Sequence, residues 1–300
     1  MTIAGETVTP TALAEASVAS DPRRSWKPAA LLLPAGLLIG LLLLCSLSIL
    51  RMSFGERNAE WSGWSLASYA TLLDGRSLRI VIDTVWLAFL SAVLTTLISF
   101  PIALYMARTP SALARRAVLI CVMLPMVVSL LVQSFGWMAI LGPDGLLNQA
   151  ARIVTGQERS FSLLFNRTGV LLGLIQTTVP LAVLPIAASL GTIPIQLEEA
   201  AGVLGASRRR VYRHIILPLA WPGIAGGAIL VFGFNTGAFV VPLLLGGLKV
   251  TTIAVVIRDQ MGPLLNWPLG AALSAVLIAL ALAVQALNRL PGRARVRGAA

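Results

Sequence analysis

Charged residues are scarce in this 300-residue chain, at 12% of the total, whereas a soluble globular domain carries about a quarter. Hydrophobic residues make up 57% and the mean hydropathy is +0.86. This composition excludes an ordinary soluble fold and indicates a chain whose natural solvent is lipid. The net charge of +11 does not indicate nucleic acid as a partner, because the Lys and Arg residues lie between long apolar runs.

Cysteine and histidine are almost absent. Cys45 and Cys121 lie inside apolar runs, and their number and spacing exclude a disulfide framework or a zinc finger. His214 is the single histidine, so neither a His-rich metal site nor a His-centred catalytic triad can be assembled. The sequence also contains no Gly-Lys dipeptide, which the phosphate-binding loop of an ATPase requires. We therefore expect no enzymatic activity, no metal and no cofactor in this chain.

Six long apolar runs predict transmembrane helices, because a bilayer core of about 30 Å needs roughly 20 apolar residues. The first run is longer than the core of a cleaved signal and is expected to remain as a span. The predicted fold is all-α, a polytopic bundle of six spans covering residues 29–290, with a flexible tail at 1–28 and a short basic tail at 291–300. The spans are 29–50, 80–106, 117–141, 169–190, 224–245 and 269–287.

Lys and Arg are unevenly distributed between the two sides of this predicted topology. Fourteen lie before the first span, in the second and fourth connections, and after the last span, whereas nine lie in the other connections. Cytoplasmic loops carry an excess of Lys and Arg. Both termini are therefore predicted to be cytoplasmic.

The connection between the fourth and fifth spans, residues 191–222, is predicted to fold as a helix-turn-helix. Pro194 suits the start of the first helix, since its fixed φ favours a first turn. Gly205 is expected to end this helix, and Ser207 to cap the next one. The second helix is expected to end at Pro218 and Pro222, before the fifth span.

In the same connection, Glu199-Ala200-Ala201 is followed after three residues by Gly205 and after nine more by Ile215-x-Leu217-Pro218. This pattern resembles the EAA loop of permeases from binding-protein-dependent ABC importers. In that family the loop is a coupling helix that docks in a groove of the cytoplasmic ATPase, with its glutamate facing basic residues. The alternative is an interfacial helix whose arginines at 208–213 contact anionic lipid. The residues of the predicted coupling loop are Glu198, Glu199, Ala200, Ala201, Gly205, Ile215, Leu217 and Pro218, of which Glu199 matches the docking glutamate.

Four further stretches resemble spermidine/putrescine-type permeases: 100–108, 135–148, 237–247 and 266–272. The resemblance implies a permease subunit of a bacterial inner membrane, carrying a polyamine or a similar organic solute. It also implies three kinds of partner, which are a second permease, two ATPases that bind ATP and Mg²⁺, and an extracytoplasmic binding protein. The binding protein is expected to dock on residues 51–79, 142–168 and 246–268. Members similar in sequence carry other solutes, so the cargo stays open.

Polar residues inside the spans are candidates for the translocation pathway, because such residues are costly in lipid and usually face a cavity. Hydrogen bonding between helices is the alternative role for each of them. An ion-gradient-driven secondary transporter or channel is the competing function, and it would place ionisable groups inside its spans, where only Asp83 comes close. The polar candidates are Gln133, Ser134, Gln176, Thr177, Asn235 and Thr236. Their aromatic neighbours Trp137 and Phe239 are further candidates, because an aromatic ring can stack on an organic solute.

Overall fold

The structure is a computed structural model that describes residues 26–57, 63–155 and 163–296. Within these ranges all regular secondary structure is helical. Of the predicted tails 1–28 and 291–300, residues 1–25 and 297–300 lie outside the described residues, whereas residues 26–28 and 291–296 belong to helices. The helices are α1 (Trp26–Ser53), α2 (Ala67–Leu72), α3 (Gly75–Arg108), α4 (Ala112–Val127), α5 (Leu130–Leu141), α6 (Leu146–Thr155), α7 (Arg167–Gly191), α8 (Ile195–Val203), α9 (Arg208–Val211), α10 (Leu217–Thr236), α11 (Ile253–Met261) and α12 (Trp267–Val296), with π-helical turns at Tyr212–Ile216 and Pro242–Gly246.

The chain divides into two compact units, one ending at Ser48 and one beginning at Ile49. The first unit contains most of α1, whose stretch Leu32–Ser53 has a mean hydropathy of 2.4 over 22 residues. At 1.5 Å per residue, that stretch is long enough to cross the hydrocarbon core of a bilayer. The second unit contains the other helices and is described below.

Six helical stretches of the described chain are long and apolar enough to cross a membrane. The predicted all-α fold with six spans is thereby confirmed. The stretches are Leu32–Ser53, Gly75–Arg108, Leu130–Ile153, Arg167–Gly191, Arg208–Thr236 and Trp267–Ala286.

Helices α3, α7 and α10 pack against one another and form the centre of the second unit. On α3, Ser91, Thr95 and Ser99 are spaced four residues apart and are fully buried. The Thr95 hydroxyl lies 3.4 Å from the hydroxyl of Thr178, and the Ser99 hydroxyl donates to the backbone oxygen of Val179. Small side chains of this kind let helix backbones approach closely in lipid, where hydrophobic attraction between helices is absent.

Gly223 marks a close approach between α7 and α10. A Cβ atom at this position would lie 2.7 Å from the backbone oxygen of Pro185 and would overlap the side chain of Ser189. By contrast, a Cβ at Gly226 of the same helix would have no neighbour within 4 Å. The contact between the two helices therefore requires glycine at 223 but not at 226.

The prediction that the third span is one continuous helix over 117–141 is wrong. The backbone is extended at Val128, with φ −85° and ψ 134°, and this residue separates α4 from α5. Pro125 has no N–H to donate within α4. The side-chain amide of Gln133 donates to the backbone oxygen of Val128 at 2.7 Å and also to that of Pro125. Gln133 thus satisfies carbonyl groups that a continuous helix would bond, which stabilises the break.

The prediction that the fifth span is one continuous helix over 224–245 is also wrong. α10 ends at Thr236 and Gly237 occupies its C-cap position. A separate π-helical turn, Pro242–Gly246, follows. Glycine is a weak helix former, and proline cannot donate a backbone hydrogen bond. These two residues together interrupt a run that is uniformly apolar.

The prediction that Pro218 and Pro222 end the second loop helix is wrong. α9 continues through the π-helical turn Tyr212–Ile216 into α10, and the stretch Arg208–Thr236 is one candidate span of 29 residues. In the turn, the N–H of Leu217 reaches back five residues to the oxygen of Tyr212. This wider turn directly precedes Pro218, whose ring and missing N–H disrupt an ordinary α-helix.

Three short helices, α2, α6 and α11, lie in the connections predicted to be extracytoplasmic, and the sequence interpretation did not include them. Most of α6 belongs to the third candidate stretch, Leu130–Ile153, which lies further along the chain than the predicted third span 117–141. α11 is held against α3, because the N–H of Ile253 donates to the hydroxyl of Thr84 at 3.0 Å. Between α1 and α2, the Ser53 and Tyr69 hydroxyls are 2.7 Å apart. These connections therefore have structure of their own on that side of the bundle.

Candidate functional site

The segment from α8 to α9 forms the turn that the sequence predicts. Gly205 has φ +79°, in the left-handed region that favours glycine. The N–H of Ala206 bonds to the oxygen of Ala201 at 2.9 Å, and that of Gly205 to Gly202 at 3.0 Å. This pair of bonds is the Schellman arrangement that ends many helices. Ser207 lies at the N-cap of α9, where its backbone oxygen rather than its hydroxyl receives the bonds.

The two faces of this segment differ in their surroundings. Glu199 and Ala200 are exposed, and Val203 and Leu204 at the tip are 89% and 88% exposed. Ala201 instead packs against the hydrophobic cluster on the inner side of the bundle. α8 therefore offers a short helix with an acidic side and an apolar tip, and its opposite side rests on the bundle.

The remaining residues of the predicted coupling loop lie in the π-helical turn and the start of α10. Ile215 packs against the same hydrophobic cluster as Ala201. Leu217 and Pro218 are exposed. The loop thus joins two helices whose inward residues share one cluster, which fixes the position of α8 relative to α10.

Glu198, at the first turn of α8, forms an ion pair within the chain. Its carboxylate lies 2.6 Å from a guanidinium nitrogen of Arg108, the last residue of α3. The two side chains are only 22% and 19% exposed. Glu199, by contrast, takes part in no ion pair among the residues that the structure describes. The two adjacent glutamates therefore have different surroundings.

Two of the pathway candidates contact each other. The indole N–H of Trp137 on α5 donates to the side-chain oxygen of Gln176 on α7 at 3.2 Å. Gln176 also lines an open groove of about 460 Å³ between α3, α4 and α7. The other side chains of the groove are apolar apart from one thiol, and they are Ile102, Ala117, Val118, Cys121, Val122, Pro125 and Val179.

Asn235 joins α10 to α3. Its side-chain amide donates to the hydroxyl of Ser91 at 2.7 Å, and the residue is only 4% exposed. Ser134, Thr177 and Thr236 instead donate to backbone oxygens one turn earlier in their own helices. Asn235 therefore has the helix-joining role that the sequence interpretation held as its alternative.

Gln133 lies one turn before Trp137 on α5, and it bonds Pro125, which lines the same groove as Gln176. Phe239 is 41% exposed in the connection after α10. The role of these residues in a pathway stays a prediction. Within the described ranges, no three His, Cys, Asp or Glu side chains come together as metal ligands would.

Arg108 was used in the sequence interpretation only as a topological charge. The structure places it against the coupling loop, which periodicity along the chain does not reveal. The available signal was weaker: a basic residue follows the second predicted span, and an acidic residue lies in the loop after the fourth, which the predicted topology puts on the same side. Asp83 is similarly paired, because its carboxylate lies 2.8 Å from a guanidinium nitrogen of Arg167 at the other end of the bundle.

An all-helical chain with six candidate spans, broken helices and a projecting loop between its fourth and fifth spans has the architecture of a membrane permease. Residues 99–295 match the family described as "Binding-protein-dependent transport system inner membrane component". Since this match covers more than half of the chain, the protein belongs to that family.

Relatives in this family include two permease subunits. The inner membrane ABC transporter permease protein YdcU of Escherichia coli K12 is 31% identical over 75% of this chain and 76% of its own length. The spermidine/putrescine transport system permease protein PotB of Haemophilus influenzae is 30% identical over 82% and 88%. The predicted family and permease role are confirmed by these matches.

A solved structure has the same fold. It is a chain of a bacterial alginate ABC transporter, crystallised in complex with a periplasmic protein bound to an alginate pentasaccharide. The TM-score is 0.74 over 89% of this chain and 93% of that chain, at 21% identity. At this identity the likeness concerns the arrangement of helices and not the cargo.

Proposed function

We propose that this permease subunit couples ATP hydrolysis by separate ATPase subunits to movement of a solute across the inner membrane. The observation that carries the proposal is the exposed side of α8, where Glu199 lies beside an apolar tip formed by Val203 and Leu204. A short helix with these properties fits a groove that combines apolar contacts with basic residues. ATP and Mg²⁺ bind the ATPase subunits, and this chain performs no hydrolysis itself.

The proposed orientation puts α8, α9 and both termini in the cytoplasm. It is supported by the basic residues that cluster on the side of α8. The exposed Arg208, Arg209 and Arg210 open α9, and Arg108 ends α3. Positive charge of this kind is retained on the cytoplasmic side of bacterial membranes.

On the opposite side, an extracytoplasmic binding protein delivers the solute in this proposal. An open groove of about 780 Å³ lies there, lined by residues between Gly55 and Thr71 and between Gln260 and Leu269. Glu56, Arg57 and Asn266 give it a mixed polar lining. Apart from Leu269, the residues that line the groove fall within two of the segments that the sequence interpretation assigns to docking. Part of the third segment, residues 156–162, lies outside the described residues.

The solute is proposed to pass between this chain and a second permease subunit. The groove between α3, α4 and α7 supports this arrangement, because Gln176 is a polar group on an otherwise apolar wall. Trp137 holds the Gln176 side chain from α5. A wall of this kind makes few directional contacts, which suits passage more than tight binding.

We propose a polyamine or a similar small organic solute as the cargo. The support is the likeness to a permease named for spermidine and putrescine. A polyamine is cationic, yet Asp83 and Asp144 are the carboxylates inside the candidate spans, and they are paired with Arg167 and Arg152. Selection of the cation is therefore assigned to the binding protein, whereas the pathway discriminates little.

The test is a charge reversal on the exposed face of α8. The tagged chain is purified together with its ATPase subunits, and ATP-dependent uptake of radiolabelled spermidine and putrescine is measured in proteoliposomes. Glu199→Arg is expected to reduce recovery of the ATPase at least tenfold, because truncating or reversing a buried interfacial charge costs about 2–5 kcal/mol. Arg115→Glu, a charge reversal of equal size and opposite sign at an exposed position on α4, is expected to leave recovery unchanged. If Glu199→Arg retains both the ATPase and uptake, α8 is not the coupling element.

A further inference from the structure

The cytoplasmic end of α3 is bonded to the base of α8 by one side chain. One guanidinium nitrogen of Arg108 lies 2.6 Å from the carboxylate of Glu198, and another donates to the backbone oxygen of Ile193 at 3.1 Å. Ile193 immediately precedes Pro194, the N-cap residue of α8. The two nitrogens belong to one planar fork, which a lysine lacks. The contact with Ile193 is a hydrogen bond, whereas the contact with Glu198 is an ion pair without hydrogen-bond alignment. Arg108 therefore fixes both the start and the first turn of α8.

The environment of this contact makes it stronger than a surface ion pair. Both side chains are about four-fifths buried, and Ile193 is 5% exposed within the hydrophobic cluster that also contains Met106. Exposed pairs gain little because water screens them, whereas a shielded charge left without its partner is costly. The contact thus resists separation of α8 from α3.

α3 continues from this contact to the opposite end of the bundle. Along its length, Ser91 bonds Asn235 of α10, Thr84 accepts from Ile253 of α11, and Asp83 pairs with Arg167 of α7. A displacement of the end of α3 therefore acts on helices that meet at the other side of the membrane. The mechanical link from α8 to these helices begins at Arg108.

We infer that Arg108 and Glu198 form a positioning pair that transmits movement of the coupling helix to α3, an inference that rests on the proposed coupling function. The two adjacent glutamates have different roles in this inference. Glu199 faces outward to the ATPase, and Glu198 faces inward and holds α8 on the bundle. Neither Arg108 nor Glu198 contacts the ATPase or the solute in this assignment.

The first measurement needs this chain alone. A spin label is attached through Val203→Cys at the exposed tip of α8, in a background with Cys45→Ser and Cys121→Ser, and its mobility is recorded by electron paramagnetic resonance. Arg108→Glu and Glu198→Gln are both expected to increase label mobility. The second variant is nearly isosteric and uncharged, so the chain remains foldable. The exchanged pair Arg108→Glu with Glu198→Arg is expected to restore the mobility of the parent.

The second measurement uses the complete complex in lipid nanodiscs with its ATPases and binding protein. Glu198→Gln is expected to reduce binding-protein stimulation of ATP hydrolysis at least about fivefold, the lower range of typical coupling energies, while reducing ATPase recovery much less than Glu199→Arg does. Arg108→Lys is expected to fall between the parent and Glu198→Gln, because it retains the charge but not the fork. A purely structural role would instead reduce the yield of chain and ATPase together.

The outcomes separate this inference from the function on which it rests. If label mobility is unchanged in Arg108→Glu, or if the exchanged pair fails to restore it, the positioning role is overturned. If mobility responds as expected but stimulation of hydrolysis is unchanged in Glu198→Gln, transmission through this pair is likewise overturned. If the parent chain recovers no ATPase at all, the proposed coupling function fails, whereas the mobility measurement still decides whether the pair holds α8.

Discussion

Replacement of Gly223 by alanine tests the close contact between α7 and α10. The added Cβ would lie 2.7 Å from the backbone oxygen of Pro185, well inside an ordinary contact, and would overlap Ser189. Neither obstacle is the end of a flexible side chain, so the helices must move apart. Overpacking of this kind costs about 1–3 kcal/mol. Alanine also favours the helix over glycine by about 1 kcal/mol, which offsets part of this cost.

Gly226→Ala on the same helix is the matched control, since its Cβ would meet nothing within 4 Å. It gains the same helix propensity without the overlap, so the difference between the two variants isolates the steric cost. The assay is the apparent melting temperature of the purified chain in detergent, followed by size-exclusion chromatography after heating. A chain of this size shifts by about 2–4 °C per kcal/mol, so Gly223→Ala is expected to melt about 2–12 °C below the control.

Two results would contradict this reasoning. Equal melting temperatures for the two variants would mean that α7 and α10 do not approach closely at Gly223. The double variant Gly223→Ala with Ser189→Gly gives the second check, because it removes one of the two obstacles. Relative to Ser189→Gly alone, the double variant should lose less melting temperature than Gly223→Ala loses relative to the parent. An equal loss would mean that the added Cβ does not overlap Ser189.

Two further predictions concern the coupling loop and the contact between α3 and α10. Gly205→Ala places a Cβ at φ +79° and should cost about 1–2 kcal/mol, measured as weaker ATPase recovery than in Gly202→Ala, which lies within α8 with no neighbour within 4 Å. Equal recovery would show that the left-handed turn is dispensable. Ser91→Ala leaves the buried amide of Asn235 without its acceptor and should destabilise by about 1–3 kcal/mol. Adding Asn235→Leu should return much of the melting temperature, and failure to do so would mean that the bond is not the cause.

The coupling loop was predicted in most of its parts because its signals are local. Proline at the start of a helix and glycine at a left-handed end act through backbone geometry within a few residues. Both Pro194 and Gly205 are found in these positions. The continuation past Pro218 could not be predicted in the same way. It depends on a π-helical turn, whose cost is offset by packing of Ile216 in the core.

The break in the third span was beyond the reach of hydropathy, since the residues around Val128 are as apolar as those of any span. It is stabilised by a side-chain contact from Gln133, and a polar residue inside a span has several possible partners. The same limit applies to the site. Polarity identified Asn235 and Gln176 as notable residues, but only the fold shows that Ser91 and Trp137 are their partners.

The junction of α9 with α10 produces one long helical segment, in which a small tilt at one end displaces the other end by several ångströms. The stretch Arg208–Thr236 contains 29 residues, which at 1.5 Å each form a rod of about 43 Å. If it pivots near Arg208, a tilt of only about 5° displaces the far end by about 4 Å on that length. Asn235 is located at that far end, 2.7 Å from Ser91, and no hydrogen bond survives such a displacement. α3 must therefore swing with α10, or the bond must open on every transport cycle.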